Sequence, residues 1–183
     1  MVLIYLADGF EELEALSVVD VLRRAEIPIQ MVSITGKKEV TSSHGVRLVA
    51  DILFEDADHQ GAQMLVLPGG MPGTLALAAH AALHEQLKEA AKDGRWLAAV
   101  CAAPTVLGSL GLLQGKNAVC YPGNEAKLIG ANTAVEGKVV VDGKIVTSRG
   151  PGTSLDFALE LVALLKGRES SESIRKGMGF ANS

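Results

Sequence analysis

Aromatic residues are scarce in this chain, only 4% of its 183 positions. With so little ring surface, the core has to be built from Val, Leu, Ile and Ala. The hydrophobic share of 48% supplies enough of them for a globular core and argues against disorder. Positive charge is not in excess either. Seventeen Lys and Arg against 21 Asp and Glu leave a formal charge of −4, which argues against nucleic acid or an anionic membrane as a main partner. No window reaches the apolar length of a membrane span. Cysteine is reduced to two residues. Met1 leads straight into an apolar run and leaves no room for a signal peptide, so a cytoplasmic, reducing setting with free thiols is expected. Linkers, low-complexity runs and internal repeats are also missing, and residues 1–183 read as one domain.

What is present is an alternation. Apolar runs of strand length at Val2–Ala7, Pro28–Ile34, Gln63–Leu67 and Trp96–Val100 alternate with helical patterns at Glu11–Ala25, Thr74–Asp93, Ala103–Leu113 and Thr153–Lys166. A short last helix is expected over Arg168–Met178, and a short strand over Lys116–Val119. Asp142-Gly143 between apolar runs signals a hairpin within residues 135–148. The pattern predicts an α/β fold: a three-layer sandwich of mostly parallel sheet with helices on both faces and a small β-hairpin.

The stretch Leu97–Leu107 stands out. An apolar strand ends at Cys101, small residues flank it, and Pro104 suits the first turn of a helix. This is the pattern of a nucleophile elbow, with Ala99 and Ala103 where glycines would sit. Small neighbours are needed because the elbow residue is forced toward φ > 0. Cys101 is thus expected at a helix N-terminus, whose field favours thiolate. A plain buried cysteine is the competing reading.

In an open α/β sheet, sites gather at the carboxyl ends of strands. Two other such ends carry notable residues. Gly69 and Gly70 suit backbone N–H groups turned toward a ligand, although an ordinary turn explains them equally. Glu14 is the carboxyl expected beside Cys101, with Leu13 and Leu16 packing inward around it and raising its pKa. Glu11 and Glu12 read as a solvated acidic first turn. His44, His59, His80 and His84 all precede Cys101, which excludes the α/β-hydrolase order of nucleophile, acid and histidine. His80 and His84 have metal-ligand spacing but lack further ligands, so they read as surface residues and no metal is expected. Cys120 reads as a plain buried thiol. Tyr121, ahead of Pro122, is expected to face the crevice.

Four stretches together resemble the ThiJ/PfpI superfamily: Asp8–Glu14, Leu67–Gly70, Ala98–Thr105 and Thr147–Ser154. The resemblance is to the branch of the parkinsonism-associated deglycase and its bacterial relatives. It implies a flavodoxin-like sandwich, a homodimer, an oxidisable nucleophile at Cys101, a protonated partner at Glu14, and backbone N–H donors from Gly70 and Ala102. Two departures matter. Animal members carry a histidine where this chain has Tyr121, and protease-like members carry one where it has Ala102. Protease activity is therefore not expected, and histidine-assisted proton transfer is not available.

Two functions fit these residues. One is a cofactor-independent enzyme acting on a small aldehyde or glycated substrate through a Cys101 hemithioacetal. The other is a redox sensor or chaperone whose Cys101 is oxidised to sulfinate without turnover. A nucleotide- or flavin-binding module is weaker, because no Gly-x-Gly-x-x-Gly follows the first strand.

Overall fold

The computed structural model describes residues 1–180. In chain order its strands are β1 (Val2–Leu6), β2 (Ile29–Ser33), β3 (Glu39–Thr41), β4 (Arg47–Val49), β5 (Ile52–Leu53), β6 (Met64–Leu67), β7 (Trp96–Val100), β8 (Val139–Asp142) and β9 (Ile145–Ser148). Its helices are α1 (Glu12–Arg24), α2 (Met71–Ala79), α3 (Ala81–Lys92), α4 (Pro104–Ser109), α5 (Ser154–Lys166) and α6 (Arg168–Gly177). Seven strands form one sheet in the order β5-β2-β1-β6-β7-β9-β8, parallel throughout except for edge strand β8.

The continuous apolar runs follow from burial on both faces. In β1, Val2, Ile4 and Leu6 point into a core covered by α1 and α5, where Val18, Leu22, Phe157 and Leu161 are buried. Leu3 and Tyr5, the alternate residues, point into a second core under α2, α3 and α4, with Leu77, Leu83, Leu87 and Val106. The three-layer, mostly parallel sandwich is therefore the observed fold. The expected hairpin is also found: β8 and β9 pair antiparallel around Asp142-Gly143 at the edge of the main sheet. A second hairpin, β3–β4, stands apart from that sheet.

Several sequence expectations need correction. Leu13 and Leu16 do not pack inward; they are 59% and 39% exposed, while Glu14, Ala15 and Val18 take the buried face of α1. Apolar character at positions 13 and 16 therefore reflects a surface, not the core. Glu11 is not solvated: it is buried and caps α1, its carboxylate accepting the Glu14 N–H at 2.8 Å. Helix α2 begins at Met71, ahead of the expected Thr74, because Pro72 needs no N–H in a first turn. Helix α4 ends at Ser109, well short of Leu113, and Gly111 follows at φ 74. Over Lys116–Val119 there is only an isolated bridge, Asn117 to Asn132, in place of a strand. His80 and His84 are half-buried and bonded to backbone: His80 Nδ1 accepts from Leu83 N at 3.0 Å, and His84 Nε2 lies 3.2 Å from Leu77 O.

Candidate active site

Cys101 follows β7 directly and has φ 64, one of two non-glycine residues with positive φ among the described residues. Such a conformation costs on the order of 1–3 kcal/mol and persists only where the surroundings over-determine it. Here both backbone groups are tied down. Cys101 N–H donates to Ser148 O of β9 at 3.0 Å, and Cys101 C=O accepts from Tyr121 N–H at 2.8 Å. The flanking Ala99, Ala102 and Ala103 are buried, so larger side chains would have no space.

The parallel sheet then brings the neighbouring strand ends alongside. Beyond β6, Gly69 lies so close that a Cβ there would fall 2.6 Å from Cys101 Cβ and 2.7 Å from Glu14 Oε2. Gly69 N–H donates to that same Oε2 at 2.7 Å. Gly70 has φ 87, and a side chain on it would strike the backbone of Gly9–Glu11. Only glycine fits either position, for lack of space at the first and for conformation as well at the second.

Glu14 is fully buried; its Oε2 accepts from Gly69 N–H, and its Oε1 has no hydrogen-bond partner among the described residues. Burial pushes the carboxyl up to about 7, against the pull of the neighbouring Cys101 thiol and of the Gly69 N–H. Burial and the neighbouring Glu14 charge push the Cys101 thiol up to about 12, while the Gly70 and Ala102 N–H groups beside the sulfur pull it down. The two groups act as one unit: it loses its first proton near 7 and resists losing a second. When Glu14 keeps its proton, the repulsion on the sulfur vanishes and the carboxyl becomes a donor to it. The helix-field argument for a thiolate does not carry over. Helix α4 has six residues and starts three positions after Cys101, so the donors are two individual N–H groups.

Cys101, Glu14, Gly69, Gly70 and Ala102 thus converge as the sequence suggested. Tyr121 lies at the rim, half-exposed, with its ring 3.2 Å from where a Gly150 Cβ would stand. Cys120, the next residue back, is buried in the wall of a cavity of about 150 Å³ shared with Glu125 and Arg149. Burial and Glu125 raise its thiol to about 11. Sequence reasoning missed the Ser42–Gly45 loop, which docks on Phe10–Glu12 through Ser43 N–H to Phe10 O at 2.7 Å. Thirty residues of separation hide that contact from any local pattern.

A buried carboxyl, a strained cysteine and two converging N–H groups at parallel strand ends define an α/β protein with a nucleophile-type elbow. The family model described as DJ-1/PfpI matches residues 1–164, and the chain belongs to that family. It is 42% identical over 174 residues to Protein DJ-1 homolog B of Arabidopsis thaliana, covering 94% of this chain but 40% of that protein. The chain thus spans about two fifths of that plant relative. Glutathione-independent glyoxalase DJR-1.2 of Caenorhabditis elegans is 31% identical over 171 residues, covering 93% of this chain and 91% of that one. Among solved structures, oxidized DJ-1 of Toxoplasma gondii superposes with a TM-score of 0.94 at 37% identity, covering 99% and 98% of the two chains. No helix among the described residues is long and apolar enough to cross a membrane.

Proposed function

We propose that the chain hydrolyses small reactive dicarbonyls without a cofactor, through Cys101. The observation that carries this reading is the fully buried Glu14 carboxyl packed beside the Cys101 thiol, both within about 3 Å of where a Gly69 Cβ would stand, with Glu14 Oε1 left unpartnered. A group poised near neutrality can both give and take a proton at working pH.

The Cys101 sulfur adds to the aldehyde carbon of methylglyoxal. The new oxyanion takes a proton and a hemithioacetal results. Gly70 and Ala102 N–H groups lie where they can steady charge as it leaves the sulfur and develops on oxygen. Glu14 then removes the proton on the thiol-bearing carbon and returns it to the neighbouring carbonyl carbon, while the hydroxyl proton passes from the first carbon's oxygen to the second's, so that the second carbon bears the alcohol. The first carbon is oxidised and the second reduced, so no outside oxidant or reductant enters. The product is a thioester. Water attacks it, the C–S bond breaks, the thiol is regenerated and a hydroxy acid leaves. The C. elegans relative named a glutathione-independent glyoxalase supports the reaction class.

The second reading, a cysteine that is oxidised without turnover, is favoured by the same two N–H groups, which suit a sulfinate anion as well as an oxyanion. Steady-state assays with glyoxal and methylglyoxal separate the two. Turnover lost in Cys101→Ala supports the enzyme. Equal rates in both proteins refute it.

A further inference from the structure

The Glu14 carboxyl has one oxygen to spare, and its surroundings limit how a substrate can lie. Oε2 is taken by Gly69 N–H at 2.7 Å, whereas Oε1 is buried without a hydrogen-bond partner among the described residues. Oε1 is therefore the oxygen left to handle a proton. Around the sulfur, backbone and small buried residues close several directions. A Cβ on Gly69 would fall 3.0 Å from Cys101 Sγ, one on Gly70 would strike the Gly9–Glu11 backbone, and Ala102 is buried. The way out lies past Gly150. A Cβ there would stand 4.0 Å from Glu14 Oε1, and 3.2 and 3.7 Å from Cδ2 and Cε2 of Tyr121. The glycine thus keeps the space between the free oxygen and the ring clear of side chain.

The backbone under this ring is fixed. Tyr121 N–H donates to Cys101 O at 2.8 Å, and Tyr121 O accepts from Asn124 N–H at 3.1 Å. Gly150 N–H donates to Thr153 Oγ1 at 3.1 Å, and Gly150 O accepts from that hydroxyl at 2.9 Å. Yet Tyr121 is 49% exposed, so much of its ring surface has no protein partner. Arg149, the charged neighbour of Gly150, lines the Cys120 cavity instead. In the reaction proposed above, the proton leaves the carbon bonded to sulfur and arrives at the next carbon, so both carbons lie within reach of Oε1. The substituent on the second carbon then extends past Oε1, over Gly150 and onto the ring. Resting on that reaction, we propose that Tyr121 is a specificity-determining residue whose ring receives this substituent, and that the preferred substrates are α-oxoaldehydes with a flat aryl group on the ketone carbon. A flat aromatic group gains most from an aromatic wall. Glyoxal, with hydrogen in that place, gains nothing from it.

The test compares phenylglyoxal with glyoxal as a ratio of kcat/KM values within each protein, so that any general loss of activity cancels. Tyr121→Ala should lower the phenylglyoxal-to-glyoxal ratio by about threefold to tenfold, the size of one aromatic pair. Tyr121→Phe should keep the wild-type ratio. A ratio unchanged in Tyr121→Ala, or lowered as much in Tyr121→Phe, would overturn the role of the ring. A second measurement needs no turnover: each aldehyde adds reversibly to Cys101 and protects it from iodoacetamide, read on the Cys101 peptide by mass spectrometry. Relative to glyoxal, phenylglyoxal should reach half-protection at a lower concentration in wild type than in Tyr121→Ala. If neither aldehyde turns over, the hydrolysis reading fails, and the protection measurement still decides the part played by the ring. Equal relative protection in the two proteins would overturn it.

Discussion

Replacing Glu14 by Gln should stabilise the protein, and only at higher pH. The folded state holds this carboxyl at about 7, against an ordinary value of 4.5. A raised carboxyl means that, between those two values, the folded protein binds a proton the unfolded chain has released. Wild-type stability from this group therefore falls as pH rises through that window. At 1.36 kcal/mol per pH unit the full difference is about 3 kcal/mol. Gln keeps the shape and still accepts the Gly69 N–H, but it never ionises. The stability gap between variant and wild type should thus be near zero at pH 4.5, grow with pH, and level off above pH 7. His44, raised by Glu12, contributes stability at low pH that is lost as pH rises, but it does so equally in both proteins and cancels in the difference. Asp142, held low by the Asn117 backbone N–H and by Lys116, and Asp156, held low by Lys138 and Arg175, have their effect at more acid pH. Urea denaturation at half-unit pH steps reads the gap directly. A gap that stays flat from pH 4.5 to 8 would show that Glu14 does not carry the shifted proton.

Other perturbations probe other links. Tyr121→His should raise kcat on methylglyoxal, by up to about 100-fold if the imidazole serves as an acid–base group; no gain would mean Glu14 already moves every proton. Mild peroxide should place oxygen on the Cys101 peptide before the Cys120 peptide, and mass spectrometry would show the reverse order if thiol acidity alone decides, since Cys120 is held at about 11 and Cys101 at about 12. Glu14→Leu should make the Cys101 sulfinate less favoured and further oxidation easier, since its hydrogen-bond donor is gone. Leu13→Glu with Leu16→Glu should turn a homodimer into a folded monomer, because both side chains are exposed apolar surface on α1; sedimentation showing a wild-type monomer at micromolar concentration would refute this. Phe157→Ala, fully buried against α1, should cost about 3–5 kcal/mol in denaturant unfolding.

What could be read from the sequence followed the reach of each physical signal. Continuous apolar runs have one good explanation, a strand buried on both faces, so β1, β2, β6 and β7 emerge within a residue or two. The elbow was legible because a positive φ at Cys101 demands small neighbours, and small neighbours can be seen in a string of letters. The convergence of Gly69, Gly70 and Glu14 on Cys101 followed from the rule that parallel strands end at one edge. Periodicity does not tell core from exposed surface. Leu13 and Leu16 are as apolar as any core residue, and only the rotation of α1 around the buried Glu14 shows that they face outward.

That rotation has a chemical consequence. A helix that buried Leu13 and Leu16 would have turned Glu14 toward water, where its carboxyl would keep an ordinary pKa. Instead α1 sets Glu14 in the core beside Ala15 and Val18, and leaves two leucines exposed. The hydrophobic effect alone opposes this choice, since burying a leucine is worth roughly 1.5–3 kcal/mol and burying a carboxyl costs energy. Two things hold the rotation against it. Glu11 caps the helix from a fixed place, its own N–H donating to Gly69 O at 2.9 Å, and Gly69 N–H binds Glu14 in return at 2.7 Å. A second copy of the chain covering Leu13 and Leu16 would recover the remainder. On this reasoning, dimerisation and the raised carboxyl are two outcomes of one helix orientation. A monomeric Leu13→Glu, Leu16→Glu variant should therefore keep its fold, yet show a smaller pH-dependent gap when Glu14→Gln is added. An unchanged gap would mean that the Glu11 cap and Gly69 suffice to hold the helix by themselves.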